Sequence, residues 1–393
     1  MKFALVGYGT RGDIEPLAAL GRELLGRGHD VCMAVPPNMV GFVESVGLDT
    51  VAYGVGSRGQ AHPEVDLSGF VQNPFGMLTQ GIERVAHTWQ EKGVTLLALA
   101  NGADVLVTGI TEKGLTANVA EYLGIPLVTV QWDPMQLWIL PYGWLYSLTT
   151  KQAEDAQRRA LGLPEVGPLT GHASLEIHAY DGFCLPEPPA EWSEQGARRP
   201  LVGALTLEMP TDADDEVLSW IAEGSPPIYF GFGSMQIPAD TVTMISAACT
   251  QLGERALVCA GWSDFTPADP HSDHVKIVGA LNYAAIFPAC RAAVHHGGAG
   301  TTAAALRAGI PSLIIFHQLA DQPWWAAAVA QLGVGAGRPF SDTTQESLVA
   351  DLRSILTPQC AVRAREVATQ MTKPAESAAR AADLLEETAK GSR

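Results

Sequence analysis

The sequence predicts an α/β protein with two doubly wound domains, each built on a parallel sheet that helices cover on both faces. Short apolar runs alternate with longer amphipathic segments along the 393 residues, and a proline-rich stretch interrupts this alternation once. Strands of a parallel sheet are buried on both faces and therefore read as continuous apolar runs. The chain is also too long for one core, since domains usually hold about 100 to 200 residues.

Four candidate strands and two candidate helices make up the first half of this pattern. The strands are Lys2–Tyr8, Val31–Val35, Asp104–Thr108 and Pro126–Val130, and the helices include Ile14–Arg27 and Lys113–Leu123. The order strand, helix, strand is typical of a parallel sheet. Ligands of such sheets bind beyond the carboxyl ends of the strands, so functional residues are expected in the loops that follow.

The second half repeats the pattern after a break in composition. Its candidate strands are Pro227–Phe232, Ala256–Cys259, Val275–Val278, Ala293–His295 and Pro311–Phe316, and its candidate helices include Thr241–Leu252 and Thr301–Ala308. The stretch 184–215 is rich in proline and poor in helix signals, which indicates a linker. We therefore predict domains at 1–205 and 206–373, followed by a terminal helix at 374–393 with Pro374 in its first turn.

The charge balance excludes one class of function. The chain has 42 acidic and 25 basic residues, a net charge of −17, and no basic cluster able to neutralise a nucleic-acid backbone. An anionic ligand would need a local pocket built from backbone N–H groups.

The sequence also bears on localisation. The apolar start is too short for a signal peptide, no stretch reaches the ~18 residues of a membrane span, and the cysteines are scattered. We expect a cytoplasmic protein.

The loop after the first strand contains Gly7-x-Gly9-x-x-Gly12 between a strand and a helix, the context of a dinucleotide-binding fingerprint. A nicotinamide-dependent oxidoreductase is therefore one hypothesis. Two features disfavour it. The second strand ends in proline rather than in the acidic residue that binds the ribose, and Asp13 and Glu15 would repel a pyrophosphate at the helix N-terminus.

Asp13 has two interpretations that the residues leave open. An aspartate in the first turn of a helix accepts backbone N–H bonds and complements the helix dipole, which stabilises the helix by about 1 kcal/mol. The same carboxylate, placed after the first strand, would also be suited to act as a catalytic base.

The strongest signal lies in the second half, where His295-His296-Gly297-Gly298-Ala299-Gly300-Thr301 follows a candidate strand and opens an alanine-rich helix. Small residues let a ligand approach the backbone, and the helix N-terminus offers unpaired N–H groups and a positive end. A histidine beside it can donate a further hydrogen bond to a phosphate. The combination predicts a diphosphate site; the alternative is a tight turn with a buried histidine.

Two other loops contain weaker candidates. Ser234 follows a glycine-rich turn after the strand at 227–232, and Asp321-Gln322 begin a helix after the strand at 311–316. A carboxylate beside a carboxamide can bind the adjacent hydroxyl groups of a sugar. Each of these residues is equally consistent with a turn or a helix cap.

Together these motifs resemble those of the inverting, nucleotide-sugar-dependent glycosyltransferases, which include bacterial antibiotic and glycolipid transferases, sterol glucosyltransferases and plant secondary-product enzymes. The resemblance spans nearly the whole chain. It comprises Gly9-x-Arg11-Gly12-Asp13-x-x-Pro16, Gly28-His29-Asp30-Val31, Gly231-Phe232-Gly233-Ser234-Met235, His295–Thr301 and Asp321-Gln322. The Arg-Gly-Asp form is most similar to the glycopeptide, mycobacterial glycopeptidolipid and sterol branch.

The resemblance implies two facing Rossmann-like domains, the GT-B fold, with the acceptor bound by 1–205, the donor by 206–373, and the terminal helix crossing back to the first domain. It implies metal-independent transfer from a UDP- or dTDP-sugar, with Asp13 as catalytic base and His296 as phosphate contact. The candidates for the element that stacks on the base are the backbone near Ile277 to Gly279, which includes Val278, and the side chain of Trp262. The implied donor contacts are Gly12, Ser234, Val278, His296, Gly298, Ala299, Gly300, Thr301, Asp321 and Gln322.

An aromatic-rich segment after the strand at 126–130 supplies the candidate acceptor contacts Trp132, Met135 and Trp138. It forms either an apolar acceptor pocket or packing within the core. A lipid acceptor would bring weak peripheral contact with a membrane. Two further hypotheses are an epimerase that acts on the donor alone and a nucleotide-sugar-binding protein without catalysis.

Overall fold

The structure, a computed structural model, describes residues 1–57, 88–132, 142–165 (side chains from 150), 173–184, 199–235, 237–238, 240–261, 263, 274–317 and 321–391. The chain divides into two compact units. Unit 1 comprises Met1–Ala179, Pro188–Leu207 and Pro374–Arg393, and unit 2 comprises Tyr180–Glu187 and Glu208–Lys373. The assignment of Tyr180–Glu187 to unit 2 differs from the sequence-based division, which placed this segment in the first domain.

Unit 1 is built on six parallel strands: β1 (Lys2–Val6), β2 (Asp30–Val35), β3 (Asp49–Ala52), β4 (Val105–Gly109), β5 (Leu127–Gln131) and β6 (Leu175–His178). Their order in the sheet is β3-β2-β1-β4-β5-β6. The four inner strands match the expected ones to within two residues at each end. The edge strands β3 and β6 were missed, because each is short and contains an acidic residue instead of a continuous apolar run.

The helices of this part of the chain are α1 (Arg11–Gly26), α2 (Val40–Ser45), α3 (described over 88–100), α4 (Lys113–Leu123) and α5 (Tyr142–Ala160). Helix α1 follows β1 and buries an apolar face that includes Ile14, Leu17 and Leu20. It starts before the expected Ile14, since Thr10 and Asp13 form its first turn by hydrogen bonds.

Unit 2 contains a second parallel sheet of six strands: β7 (Ile228–Gly231), β8 (Ala256–Cys259), β9 (Val275–Val278), β10 (Ala292–His295), β11 (Ser312–Phe316) and β12 (Gly335–Pro339). Their order is β12-β11-β10-β7-β8-β9. The edge strand β12 was not expected, because its Gly-Ala-Gly-Arg-Pro sequence has no apolar run. The α/β class with two parallel sheets is confirmed.

Helices cover both faces of this second sheet: α6 (Asp214–Ala222), α7 (Asp240–Leu252), α8 (Tyr283–Ile286), α9 (Ala299–Ala308), α10 (Gln322–Gln331), α11 (Gln345–Ile355) and α12 (Pro358–Ala368). Alternate residues of the strands enter two separate cores. Phe230 and Val294 pack in one core with α7 and α11, whereas Tyr229 and Ala293 pack in the other with α6, α8 and α9. The central pair β7 and β10 thereby holds the loops at their carboxyl ends side by side.

The last helix, α13 (Pro374–Gly391), belongs to unit 1 and packs against α1. Arg27, which follows α1, pairs with Asp383 at 2.7 Å and with Glu386 at 3.1 Å and donates to the Ala379 carbonyl at 3.0 Å. Leu385 lies on the inner face of α13 and is fully buried. Within the described residues, no helix has both the length and the apolar character needed to cross a membrane.

Replacing Leu385 by alanine should lower the free energy of unfolding of unit 1 by about 2 to 5 kcal/mol, because the substitution leaves a cavity beneath the terminal helix. Urea unfolding followed by circular dichroism measures the change. Glu387→Ala, on the exposed side of the same helix, is the matched control and should change stability little. Equal losses in the two variants would contradict this packing.

Candidate functional site

The loop between β10 and α9 is formed by His296, Gly297 and Gly298. Gly297 has a φ of +91°, a conformation that favours glycine, and a Cβ there would lie 2.7 Å from Cγ2 of Ile314. A Cβ on Gly298 would lie 2.6 Å from Nε2 of His296. Both glycines are therefore needed for the turn, and the Nε2 edge of the imidazole lies against Gly298, the residue before the start of α9.

Helix α9 begins without a side-chain cap. Its N-cap residue is Gly298, and the first turn contains no acidic residue. The first N–H groups of a helix have no partner within the helix, and the dipole makes this end positive. The start of α9, which includes Gly300 and Thr301, is therefore complementary to an anion.

The loop after β7 forms a second wall around the imidazole. A Cβ on Gly233, whose φ is +61°, would lie 2.7 Å from Cε1 of His296. A Cβ on Gly261, in the loop after β8, would overlap the Gly233 carbonyl oxygen. The loops after β7 and β10 thus meet at His296, and the loop after β8 packs on the first of them. Ser234 follows Gly233 and is half-buried.

The two histidines at the end of β10 are neutral at pH 7. Burial lowers the pKa of His296 to about 4; the Gly231 carbonyl opposes this shift, and the nearby His317 ring adds to it. Burial lowers the pKa of His295 to about 3, with a further contribution from His296. Nδ1 of His295 accepts a hydrogen bond from the Gly297 N–H at 3.2 Å. Without a ligand, the His296 ring is therefore uncharged at pH 7.

The start of α10 adjoins this loop, since a Cβ on Gly297 would lie 3.2 Å from the Gln322 carbonyl oxygen. Oε1 of Gln322 accepts the His317 N–H at 2.9 Å, and its Nε2 lies 3.6 Å from Sδ of Met235. Oδ2 of Asp321 accepts the indole N–H of Trp325 at 2.8 Å. The Gln322 amide therefore connects two loops, and sugar binding by it would require these bonds to rearrange.

One candidate for contact with the nucleoside base, Val278, lies farther along the same edge. Val278 ends β9, pairs with Cys259 of β8 and is half-buried. Strands β7 and β8 separate it from β10 in the sheet. Trp262 lies outside the described residues.

Asp13 is the third residue of α1 and caps that helix. Its Oδ2 accepts the Thr10 N–H at 2.7 Å and the Thr10 hydroxyl at 3.2 Å. Burial raises the pKa of Asp13, and the hydrogen bonds from Thr10 oppose this rise. Gly9, with a φ of +138°, has no room for a Cβ beside the carboxylate. Because Asp13 itself uses these donors, they are not available to the pyrophosphate of a dinucleotide; Gly12, by contrast, is exposed.

Of the acceptor candidates, Trp132 is described and lies just after β5. A Cβ on Gly109, the last residue of β4, would lie 2.5 Å from Cη2 of Trp132, so the indole packs directly on that glycine. The aromatic segment thus begins at the carboxyl edge of the first sheet. Met135 and Trp138 lie outside the described residues.

Sequence reasoning missed a buried charged cluster at this edge. It consists of Tyr8, Tyr53, Lys92 and Glu112, and both charged members are about 5% exposed. Lys92 and Glu112 are separated by 20 residues and have no motif spacing. The available signal was the position of Glu112, Tyr8 and Tyr53 just after three strands, where ligands of parallel sheets bind.

Two family models match the chain: the glycosyltransferase family 28 N-terminal domain over residues 3–136, and the C-terminal domain of the erythromycin biosynthesis protein CIII-like family over residues 268–387. An uncharacterized glycosyltransferase of Mycobacterium tuberculosis is 52% identical over 100% of both chains. The vancomycin aglycone glucosyltransferase of Amycolatopsis orientalis is 31% identical over 98% of this chain and 97% of that one.

Among solved structures, the glycosyltransferase VinC in complex with dTDP is similar in fold, with a TM-score of 0.67 and 18% identity over 100% of this chain and 99% of that one. The fold and these similarities define a nucleotide-sugar-dependent glycosyltransferase of the GT-B class. The chain belongs to the family 28 and erythromycin CIII-like glycosyltransferases, the antibiotic glycosyltransferase family. The nicotinamide-dependent oxidoreductase is therefore not supported.

The low pKa values of His295 and His296 should make unit 2 sensitive to acid. Between pH 7 and pH 5 the unfolded chain, with histidine pKa values near ~6.5, binds protons that the folded unit does not bind. Each of these histidines should therefore reduce the free energy of unfolding by about 2 kcal/mol over this interval. Urea unfolding at the two pH values measures the loss. His295→Gln should remove about half of it, and an unchanged pH dependence would contradict the assignment.

Proposed function

We propose that this protein transfers a sugar from a UDP- or dTDP-sugar to a hydroxyl group of an apolar acceptor, with inversion at the anomeric carbon. The uncapped start of α9, with His296 held against it by Gly233 and Gly298, is the observation that supports this most. Backbone donors at a helix N-terminus suit a diphosphate. The similarity to VinC, solved with dTDP, and to the vancomycin aglycone glucosyltransferase supports this donor and acceptor chemistry.

In the proposed reaction, the acceptor oxygen attacks the anomeric carbon as the bond from that carbon to the diphosphate oxygen breaks. The electron pair leaves with the nucleoside diphosphate, and the hydroxyl proton passes to Asp13. Both bonds from Thr10 reach Oδ2 of Asp13, so Oδ1 is the oxygen assigned to the acceptor. Its raised pKa makes Asp13 a better proton acceptor than an exposed aspartate.

Negative charge develops on the leaving diphosphate. We assign its stabilisation to the N–H groups of Gly300 and Thr301, the dipole of α9 and a hydrogen bond from His296. In enzymes, removal of one such donor slows the reaction by about 10² to 10³. These groups would replace a metal ion, so the transfer is proposed to be metal-independent.

The acceptor side of the proposal rests on residues 1–205 and the donor side on residues 206–373. Trp132, packed on Gly109 at the carboxyl edge of the first sheet, offers an aromatic face to an apolar acceptor. An enzyme that epimerises the donor would consume it without an acceptor. Mass spectrometry of the donor with and without lipid and polyketide acceptors therefore tests transfer. Transfer adds the mass of one sugar residue to the acceptor and so identifies it, whereas epimerisation leaves every mass unchanged.

Asp13→Asn should reduce transfer by about 10² or more, because an amide cannot accept the proton. The affinity for dTDP, measured by thermal shift, should change little. Asp214→Asn is the matched control, because Asp214 accepts the Thr211 N–H and hydroxyl at the start of α6, both at 2.7 Å. This variant weakens the same kind of threonine hydrogen bonds, together with one from the Asn282 N–H, without losing a base. Full turnover by Asp13→Asn would show that Asp13 only caps α1.

Binding of dTDP-glucose should be accompanied by proton uptake at His296. The free ring has a pKa of about 4, and an adjacent diphosphate raises this pKa by favouring the imidazolium. Affinity should therefore weaken as pH rises from the free pKa to the bound pKa. The sugar ester of the diphosphate is the appropriate ligand, because a terminal phosphate itself ionises near pH ~6.

Isothermal titration calorimetry at pH 6, in two buffers with different ionisation enthalpies, measures this uptake. His296→Gln keeps an N–H donor but does not titrate, so its binding heat should be independent of the buffer and its affinity about tenfold weaker. Identical heats for the wild type and this variant in both buffers would remove His296 from the diphosphate site.

A further inference from the structure

A buried ion pair lies beyond the carboxyl end of β4. Nζ of Lys92, on α3, lies 2.9 Å from Oε1 of Glu112, and their side chains are 5% and 6% exposed. The second carboxylate oxygen, Oε2, accepts the Tyr53 hydroxyl at 2.5 Å. Both oxygens of Glu112 are therefore used, and the residue is fixed in a single orientation.

The ammonium group of Lys92 also contacts aromatic faces. Its Nζ lies 3.2 Å from the centre of the Tyr8 ring and 5.1 Å from that of Tyr53. The two rings meet edge to face, with centres 6.2 Å apart. Gly54, with a φ of +66°, makes room for the lysine, because a Cβ there would lie 2.8 Å from Cε of Lys92.

This cluster is connected to the loop that presents Asp13. Tyr8 lies two residues before Thr10, whose N–H and hydroxyl hold the Asp13 carboxylate. The Tyr8 hydroxyl donates to the Val55 carbonyl at 3.2 Å, and the Tyr8 carbonyl accepts the Thr111 hydroxyl at 3.3 Å. The ring of Tyr8 is thus held by α3, its hydroxyl by the segment after β3, and its backbone by the segment after β4.

Stability alone is a weak explanation for such a pair. Removing two charges from water offsets most of their attraction, and apolar residues of similar size often stabilise a core equally well. A cation held by a carboxylate against an aromatic face does, however, fix the position of that ring. The ring it fixes here belongs to the loop of the proposed catalytic base.

We propose that Lys92 and Glu112 are positioning residues, which hold the loop 7–10 through the Tyr8 ring so that Thr10 presents Asp13 to the acceptor hydroxyl. This inference rests on the proposed role of Asp13 as the base. Neither residue contacts the reacting atoms in this scheme. Their effect on transfer comes from the order they impose on the loop.

Hydrogen exchange of the whole protein, read by mass spectrometry over peptides that contain Gly9 and Thr10, tests this order without a transfer assay. The variant is Lys92→Met/Glu112→Gln, which removes both charges together and so leaves no unpaired buried charge. Losing the cation–π contact should speed exchange of the Thr10 amide by about ten- to thirtyfold. Unchanged exchange in this loop would overturn the proposal.

Arg158→Met is the matched control. Arg158 is also a buried cation of unit 1, 3% exposed at its side chain, and it pairs with Glu121 and donates to Asn118. Its loss should lower the melting temperature without changing exchange in the loop 7–10. If Arg158→Met speeds exchange there as much as the double variant does, the effect reflects general loosening of unit 1, and the positioning role is rejected.

Transfer to the acceptor identified by mass spectrometry gives the second readout. The double variant should lower kcat about tenfold and leave the donor KM unchanged, because the diphosphate site lies in unit 2. Asp13→Asn is assayed beside it. Loss of transfer in Asp13→Asn but not in the double variant rejects the positioning role alone. Full transfer in Asp13→Asn rejects the proposed base, and the exchange result then still decides whether the pair orders the loop.

Discussion

Helix α9 begins after a buried strand and a three-residue loop, with no side chain to satisfy its first N–H groups. The proposed chemistry depends on that start. Two other helices begin differently. Acidic side chains lie in their first turns: Asp13 in α1 and Asp214 in α6 each accept hydrogen bonds from a threonine three residues earlier. A glycine at the N-cap leaves the donors of α9 to a ligand. In the proposed function, the protein thus places its own carboxylate at the start of α1 and leaves the start of α9 for a diphosphate.

The topology of the second sheet brings the parts of this site together. Because β7 pairs with both β10 and β8, the loop after β7 contacts the loops after both of these strands. Gly233, Gly261 and Gly298 are there because a Cβ on any of them would overlap the backbone or the His296 ring. The same packing keeps His296 neutral. Burial of the His296 imidazole therefore lowers the free energy of unfolding at acid pH, because the unfolded chain binds a proton that the folded site does not.

The sequence was informative wherever a local pattern sufficed. Inner strands such as β1 and β10 are continuous apolar runs and could be predicted. The glycine-rich loop at His296 is a local motif, and its role in diphosphate binding stays a prediction. The edge strands β3 and β12 lack such runs and depend on their neighbours for pairing. Lys92 and Glu112 could not be found, because charged residues usually lie on the surface and only the tertiary fold shows them to be paired and buried.

The two interpretations of Asp13, as a helix cap and as the proposed base, show the same limit at a single residue. Its position in the first turn of α1 could be read from the sequence, and the cap is present in the structure. Its raised pKa could not be read, because this results from burial by residues distant in sequence. Both interpretations place the same aspartate at the same position. The protonation behaviour of Asp13 is what distinguishes a base from a cap.

A crystal structure of the protein with dTDP-glucose tests the central claim most directly. The account predicts phosphate oxygens within hydrogen-bonding distance, about 2.7 to 3.2 Å, of the backbone nitrogens at the start of α9 and of the His296 ring. A nucleotide whose diphosphate lies instead against the Gly9 loop, with the start of α9 bound only to water, would contradict it.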